Sequence, residues 1–186
     1  MMTETAKQFG QAIAECKEVF INKMKDYGSS WRILRTPSLT DQIYIKANRI
    51  RSIEDKGEHR VNEGIRPEFI GIVNYSVMAL IQIELKTYTT ADLSAKEAEE
   101  LYDRHIQSAR ALMEDKNHDY DEAWRNMRIS SYTDIILMKL RRIKQIEDRE
   151  GETLVSEGVD ANYRDIINYA LFALIKIEEQ RVTQKL

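Results

Sequence analysis

A lysine and an arginine three positions apart occur twice in this chain of 186 residues, as Lys46 with Arg49 and as Lys139 with Arg142. Residues three apart lie on one face of a helix, so each pair presents two cations side by side. Two such cations suit the phosphate or the carboxylate of a ligand. The alternative is an ion pair within the protein, for example between Lys46 and Asp41 at the start of the same predicted helix.

Four acidic residues near the start of a later predicted helix are candidate ligands for a divalent cation. Glu63 and Glu157 each precede a glycine, and Asp160 and Asp165 follow in the second half of the chain only. Carboxylates suit Mg²⁺, which also binds substrate phosphates. The alternative is that a carboxylate near a helix N-terminus only stabilises the helix dipole. The pattern is compatible with a magnesium site that has more ligands in the second half.

Aromatic and amide side chains recur at matching positions, where they could contact the ring of a ligand. They are Tyr27 and Trp31, Tyr120 and Trp124, and Asn74 and Asn168. An aromatic ring beside an arginine could stack on a nucleobase, whereas a tryptophan at a helix break more often fills the gap between two helices. A buried asparagine needs hydrogen-bond partners. It could contact a ligand edge or fix the register of two central helices.

Composition and charge exclude several classes of protein. Only 7 Gly and 2 Pro argue against sandwiches and barrels, and the net charge of −3, spread evenly, makes direct binding to duplex DNA unexpected. The single cysteine, Cys16, excludes an intrachain disulfide. The single cysteine and the lack of an apolar signal region at the N-terminus together predict a cytoplasmic protein. The apolar stretches at 69–83 and 166–177 are shorter than a bilayer span, so no membrane segment is expected.

The chain contains an internal duplication. Residues 26–56 align with 119–149 at an offset of 93, and residues 57–84 align with 151–178 at an offset of 94. In this alignment 28 of the 59 positions from 26 to 84 are identical. The candidate lysine, arginine, tyrosine, tryptophan and asparagine residues are all identical in both copies. Because core positions need only stay apolar, identical polar residues require another explanation.

Each copy is predicted to form three long helices. We place helix A at 4–25 and 95–118, helix B at 41–56 and 134–149, and helix C at 67–86 and 161–181. Ser94, Thr40, Thr133 and Asp160 are the expected N-caps, and Pro67 suits a first helical turn. Helix C is apolar almost all round, so both C helices are expected at the centre. The prediction is an all-α bundle with pseudo-two-fold symmetry, one fused domain over 1–186. It comprises repeat one (1–86), a linker (87–94) and repeat two (95–186).

The motifs of each copy resemble a known family. Each copy contains, in order, DYG..W or DYDEAW, T-D, K..R, E-G, and I-V-N-Y or I-I-N-Y. This pattern is similar to that of nucleotide modification associated domain 1. The resemblance extends from about Lys23 to Glu84 and from Lys116 to Glu178. The resemblance implies a link to modified nucleotides. The helical layout is also similar to MazG-type nucleoside triphosphate pyrophosphohydrolases, which bind magnesium through E-x-x-E and E-x-x-D pairs. Glu15 and Glu18 in copy one, and Glu157 and Asp160 in copy two, fit those pairs, but neither copy contains both.

These observations favour a cytoplasmic protein that binds a nucleotide or deoxynucleotide and that could also hydrolyse it, with Mg²⁺, to a monophosphate and pyrophosphate. In this hypothesis the Lys–Arg pairs hold phosphates, the acids hold the metal, and the tyrosines or tryptophans flank the base. The alternative is a non-catalytic helical interaction or scaffold module whose repeated charges only stabilise the bundle. A homodimer is compatible with either hypothesis.

Overall fold

The computed structural model describes residues 3–57 and 64–184. In these ranges the chain forms six α-helices and no strand, as the apolar periodicity predicts. The α-helices are α1 (Glu4–Tyr27), α2 (Thr36–Lys56), α3 (Arg66–Leu85), α4 (Ala95–Tyr120), α5 (Ile129–Glu147) and α6 (Val159–Thr183). Short 3-10 turns follow α1 and α4, at Ser30–Ile33 and Ala123–Asn126. Helices A, B and C are therefore α1, α2 and α3 in repeat one, and α4, α5 and α6 in repeat two.

The N-terminal caps were predicted with mixed success. Ser94 caps α4 in a capping box with Glu97, as expected. The B helices begin earlier than predicted, at Thr36 and Ile129, so Thr40 and Thr133 are not caps. Both hydroxyls lie inside the helices, with the oxygen of Thr40 3.1 Å and that of Thr133 3.4 Å from the carbonyl oxygen four residues earlier. The expected cap at Asp160 was also wrong, because α6 begins at Val159 after Gly158.

The two C helices form the centre of the bundle. α3 packs against α6, α2 packs against α3 and α5, and α5 packs against α6, while α1 and α4 cover the remaining faces. One core cluster takes apolar side chains from all six helices, including Phe9, Leu39, Ile72, Tyr102, Ile136 and Leu171. Contrary to expectation, α3 is long and apolar enough to span a membrane by length and composition. Most of it is buried in the core, which is also the pattern of a central helix in a soluble protein.

Reciprocal hydrogen bonds join the two repeats. Thr40 donates to Glu147 at 2.9 Å, and its repeat counterpart Thr133 donates to Glu54 at 2.6 Å. Both glutamates are partly buried, and burial raises the pKa of each carboxyl group despite the hydroxyl donor. The identity of these residues in both copies therefore has a structural explanation. They connect α2 and α5 in a nearly symmetric manner.

Reciprocal ion pairs follow the same pattern. Lys144 contacts Asp41 at 2.8 Å, and its counterpart Arg51 contacts Asp134 at 3.7 Å. Asp41 is thus paired with the other repeat rather than with Lys46. The example pair of Lys46 with Asp41 is therefore not formed, but Lys46 does form an ion pair within the protein, with Glu68 at 3.6 Å.

Candidate functional site

Each repeat has a cavity between the end of its helix A, the 3-10 turn that follows and its helix C. We call the cavity in repeat one pocket one and the cavity in repeat two pocket two. Every residue that lines pocket two has a repeat counterpart that lines pocket one. Pocket one has a volume of about 750 Å³ and pocket two of about 330 Å³. The duplication therefore produces two versions of one site, of different size.

Two other depressions are less relevant to the predicted site. A groove of about 1070 Å³ between α1 and α6 is larger than either pocket, but apart from Glu15 none of the predicted substrate or metal residues that the structure describes lines it. Its lining includes Glu15, whose carboxylate accepts hydrogen bonds from Arg66. A groove of about 630 Å³ at the end of α5 is lined by Lys139, Arg142 and Glu157. These three predicted residues lie together, but the sequence-identical Lys46 lines pocket one instead.

The tryptophans fill space beneath the pockets, and the tyrosines are accessible. Trp31 and Trp124 are only 6% and 5% exposed, whereas Tyr27 and Tyr120 are 56% and 69% exposed. Phe172 stacks on Trp124 with a centroid distance of 4.3 Å, and a guanidinium group lies 4.4 Å from the same ring. The faces of this tryptophan are thus occupied by the protein. The structure favours the tyrosines as the rings that could contact a ligand.

In repeat two, the two lysines near pocket two bind a carboxylate of the protein. Lys116 Nζ contacts Asp165 Oδ1 at 2.7 Å, and Lys139 Nζ contacts Asp165 Oδ2 at 2.7 Å. Burial alone would raise the pKa of Asp165, but the two ammonium groups lower it overall. Burial alone would likewise lower the pKa of Lys116, and its contact with Asp165 raises it overall. We call Lys116 and Lys139 the lysine clamp of repeat two, and we call their counterparts Lys23 and Lys46 the lysine clamp of repeat one.

In repeat one, the clamp contains no carboxylate at the equivalent position, because Gly71 replaces Asp165. The stem of Lys46 lies directly on this glycine, and a Cβ atom at residue 71 would be 2.8 Å from Lys46 Cδ and Cε. Lys46 Nζ is 3.6 Å from Glu68 Oε2 and 5.7 Å from the centre of the Tyr75 ring. Lys23 is exposed and has no ion-pair partner in the described part of the chain. In repeat one, Lys46 therefore shares the carboxylate of Glu68 with Arg49, and Lys23 has no such partner within the described ranges.

The two predicted arginines have different environments. Arg49 donates to the buried carboxylate of Glu68, so it supports the wall of pocket one rather than its interior. In repeat two Asn162 replaces Glu68, and it donates instead to the carbonyl oxygen of Gly158. Arg142 is exposed and has no ion-pair partner among residues 3–57 and 64–184. The identical Lys–Arg spacing thus does not give identical surroundings.

The asparagines connect helix C to helix A in both repeats. Asn74 Nδ2 donates to the carbonyl oxygen of Cys16 at 3.0 Å, and Asn168 Nδ2 donates to that of Ala109 at 2.9 Å. Asn74 Oδ1 also accepts a hydrogen bond from Tyr102 at 2.8 Å. Both asparagines line their pockets, but their amide nitrogens are already used for packing. The structure favours a structural role for these residues, but their amide nitrogens bond to helix A rather than fixing the register of the two central helices.

The predicted magnesium ligands that the structure describes do not form an acidic cluster. Glu63 lies outside the described residues, Glu157 is exposed, and Asp160 is paired with Arg164 at 3.0 Å. Both oxygens of Asp165 are occupied by ammonium groups. Within the described ranges, no group of three or more His, Cys, Asp or Glu side chains could hold a metal ion. The described donors therefore do not fit a carboxylate-bound magnesium site.

Comparison with protein families agrees with the duplication. The sequence profile of nucleotide modification associated domain 1 matches residues 23–83 and again residues 116–177. The chain belongs to this family. The matched segments begin at the first lysine of each clamp, so each domain contains both clamp lysines, the exposed tyrosine and the buried tryptophan of its pocket. No curated protein and no solved structure matches the chain. The finer likeness to MazG-type enzymes stays a prediction.

Several residues of the two nucleotide modification associated domains were missed by the sequence prediction. They are Lys23 and Lys116, Tyr75 and Tyr169, and Glu68. Tyr75 and Tyr169 are identical within the aligned residues, so the alignment that selected Lys46 contained the same signal for them. Lys23 and Lys116 also match, but they lie three residues before the alignment begins. The importance of Gly71 had no such signal, because it differs between the repeats.

Proposed function

We propose that pocket one binds a nucleotide or deoxynucleotide, with Lys23 and Lys46 on its phosphate and with Tyr27 and Tyr75 beside its base. In pocket two, the carboxylate of Asp165 occupies the position that corresponds to the proposed phosphate in pocket one. The family description connects the domain with nucleotide modification, which agrees with this ligand class. A volume of about 750 Å³ also lies within the usual range for small-molecule sites.

The observation that carries the proposal is the filled lysine clamp of repeat two. Each clamp lysine there contacts one oxygen of the Asp165 carboxylate at 2.7 Å. The fold thus directs these two ammonium groups towards one anionic group. Gly71 removes that group in repeat one, and both lysines are retained. Lysine binds phosphate as a compact point charge, so an external phosphate is a chemically suitable replacement.

The aromatic part of the proposed site is formed by Tyr27 and Tyr75. Both tyrosines line pocket one. The pKa of the Tyr75 hydroxyl is raised, mainly because the group is partly buried and to a smaller extent because Tyr27 is nearby. Because both tyrosines line the same cavity, their rings are available to one ligand. Flat aromatic rings stack on nucleobases without strong sequence preference. Lys46 lies over the Tyr75 ring, so the anionic and the aromatic parts of the pocket are adjacent.

Calorimetric titration of the full chain with a panel of ribonucleotides and deoxynucleotides tests this proposal. Replacement of Lys23 or Lys46 by alanine should weaken binding by at least about tenfold, because each removes a charge-assisted contact. Arg142→Ala is the matched control, since it removes an exposed cation of repeat two. Its affinity should equal that of the wild type. Absence of binding for every nucleotide, or equal losses in all three variants, would contradict a site in pocket one.

Hydrolysis of the nucleotide with Mg²⁺ is a further prediction, based on the resemblance to pyrophosphohydrolases. The same samples, supplied with nucleoside triphosphate and Mg²⁺, are assayed for pyrophosphate release. Glu157→Ala should reduce this release if the predicted acid contributes to a metal site. Nucleotide binding without any release would leave the binding proposal intact and reject the hydrolytic one.

The scaffold alternative is supported by a separate observation. Many polar residues that are identical in both copies bond to one another, such as Thr40 with Glu147 and Thr133 with Glu54. If the chain binds no nucleotide and co-purifies with a defined helical partner, this alternative is the better one.

A further inference from the structure

We infer that the ligand of pocket one contains a single phosphate, as in a nucleoside monophosphate, rather than a chain of two or three. This inference rests on the proposed function, because it specifies the ligand of the same site. It follows from the charges that line the two pockets and from the way in which repeat two satisfies its own clamp.

Among the described residues, the charged side chains that line pocket one are Lys23, Lys46 and Glu68. Glu68 is buried, with an exposed fraction of 6%; one of its oxygens accepts a hydrogen bond from Arg49, and the other lies 3.6 Å from Lys46 Nζ. Glu68 thus carries one negative charge against the three positive charges of Arg49, Lys46 and Lys23. This group therefore keeps a net charge of about +2 for a ligand. A phosphate monoester carries a charge of about −1.5 to −2 near neutral pH, so one such group balances it.

The geometry of repeat two agrees with a single anionic group. Lys116 and Lys139 contact different oxygens of the same carboxylate, both at 2.7 Å. Their ammonium groups must therefore lie close enough to share one small anion. If Lys23 and Lys46 adopt the same arrangement, they bind two oxygens of one phosphate.

Additional phosphates would have no matching charge in the described lining of pocket one. Each would bring negative charge next to Glu68 without a further cation to compensate it. Burial of uncompensated charge is unfavourable. In the described ranges there is also no acidic cluster that would place Mg²⁺ beside a polyphosphate. The site should therefore gain nothing from the second and third phosphates.

The test is calorimetric titration of the full chain with one nucleoside and its mono-, di- and triphosphate, at constant ionic strength and with or without Mg²⁺. The monophosphate should bind at least about tenfold more tightly than the nucleoside, and the di- and triphosphates should bind no more tightly than the monophosphate. Lys46→Ala should remove the advantage of the monophosphate over the nucleoside.

The outcomes separate this inference from the proposed function. If the triphosphate binds about tenfold more tightly than the monophosphate and remains sensitive to Lys46→Ala, pocket one is a nucleotide site but the monophosphate inference is wrong. If inorganic phosphate alone binds as tightly as the monophosphate, the base makes no contribution and the nucleoside part of the inference is wrong. If none of these compounds binds, the proposed function fails with it.

Discussion

Replacement of Gly71 by aspartate should convert pocket one into a copy of pocket two. A Cβ atom at this position would lie 2.8 Å from Lys46 Cδ and Cε and 3.2 Å from Nζ. These atoms are the far end of a flexible side chain, so a small rotation of Lys46 relieves the contact. The new carboxylate could then accept a hydrogen bond from Lys46, as Asp165 does from Lys139 in repeat two.

The effects of Gly71→Asp on stability and on binding should differ greatly. Within a helix, aspartate is more favourable than glycine by roughly 0.3 kcal/mol. An ion pair with Lys46, which is 26% exposed, is largely offset by the desolvation of the carboxylate. The free energy of unfolding should therefore change by less than about 1 kcal/mol. Binding loses two charge-assisted contacts of about 1.5–3 kcal/mol each, which corresponds to a weakening of about 100-fold or more.

Urea unfolding and calorimetric titration with the tightest-binding nucleotide measure the two quantities separately. Gly71→Asn is the matched control, because its side chain has the size of aspartate but no charge. The asparagine variant should retain much more affinity than the aspartate variant. Equal losses in both variants would show that Gly71 provides only space, and unchanged affinity in the aspartate variant would refute the proposed position of the phosphate.

The remaining predictions concern buried carboxylates. Asp165→Asn should lower the free energy of unfolding by about 3 kcal/mol at pH 7, because Lys139 is only 13% exposed and loses its partner, whereas the half-exposed Lys116 can return to water. Since the folded-state pKa of Asp165 is lowered, this stabilisation is present above the unfolded-state pKa and is lost as the pH falls through the folded-state value. Urea unfolding at pH 7 and at successively lower pH should show the difference between the two proteins shrinking. Glu147→Gln should instead raise the thermal unfolding temperature at pH 7, because burial raises the pKa of Glu147 and its ionised form is unfavourable there. The gain should disappear below the pKa of an unfolded glutamate, while a gain that is constant with pH would reject this cause.

The apolar pattern was sufficient to predict the helices, but not their beginnings. Ser94 and Glu97 are local signals, since both partners of the capping box lie within three residues. Thr40 and Thr133 have the correct residue type for a cap, yet they bond to glutamates more than 70 residues away. A local rule cannot identify such partners. The threonines were therefore mistaken for caps, and the B helices begin about one turn earlier than predicted.

The site was predicted in part, for an equally physical reason. Lys46, Tyr27 and Asn74 were selected because they are identical in both copies, and all three line pocket one. Asp165 was assigned to a metal because carboxylates suit Mg²⁺. Its actual partners, Lys116 and Lys139, are 49 and 26 residues distant, and the sequence gives no sign that they meet.

The positions at which the repeats differ are as informative as those at which they agree. A glycine inside a helix is unfavourable by about 1 kcal/mol relative to alanine, and Gly71 lies within α3 beside two cations that a carboxylate would satisfy. Repeat two contains that carboxylate, so the fold clearly accommodates it. Stability alone decides little between the two residues, because the ion pair is largely offset by desolvation of the carboxylate. In repeat one the stem of Lys46 lies on Gly71 instead, and no carboxylate is built into this position. The proposed phosphate would bind where repeat two places the carboxylate of Asp165.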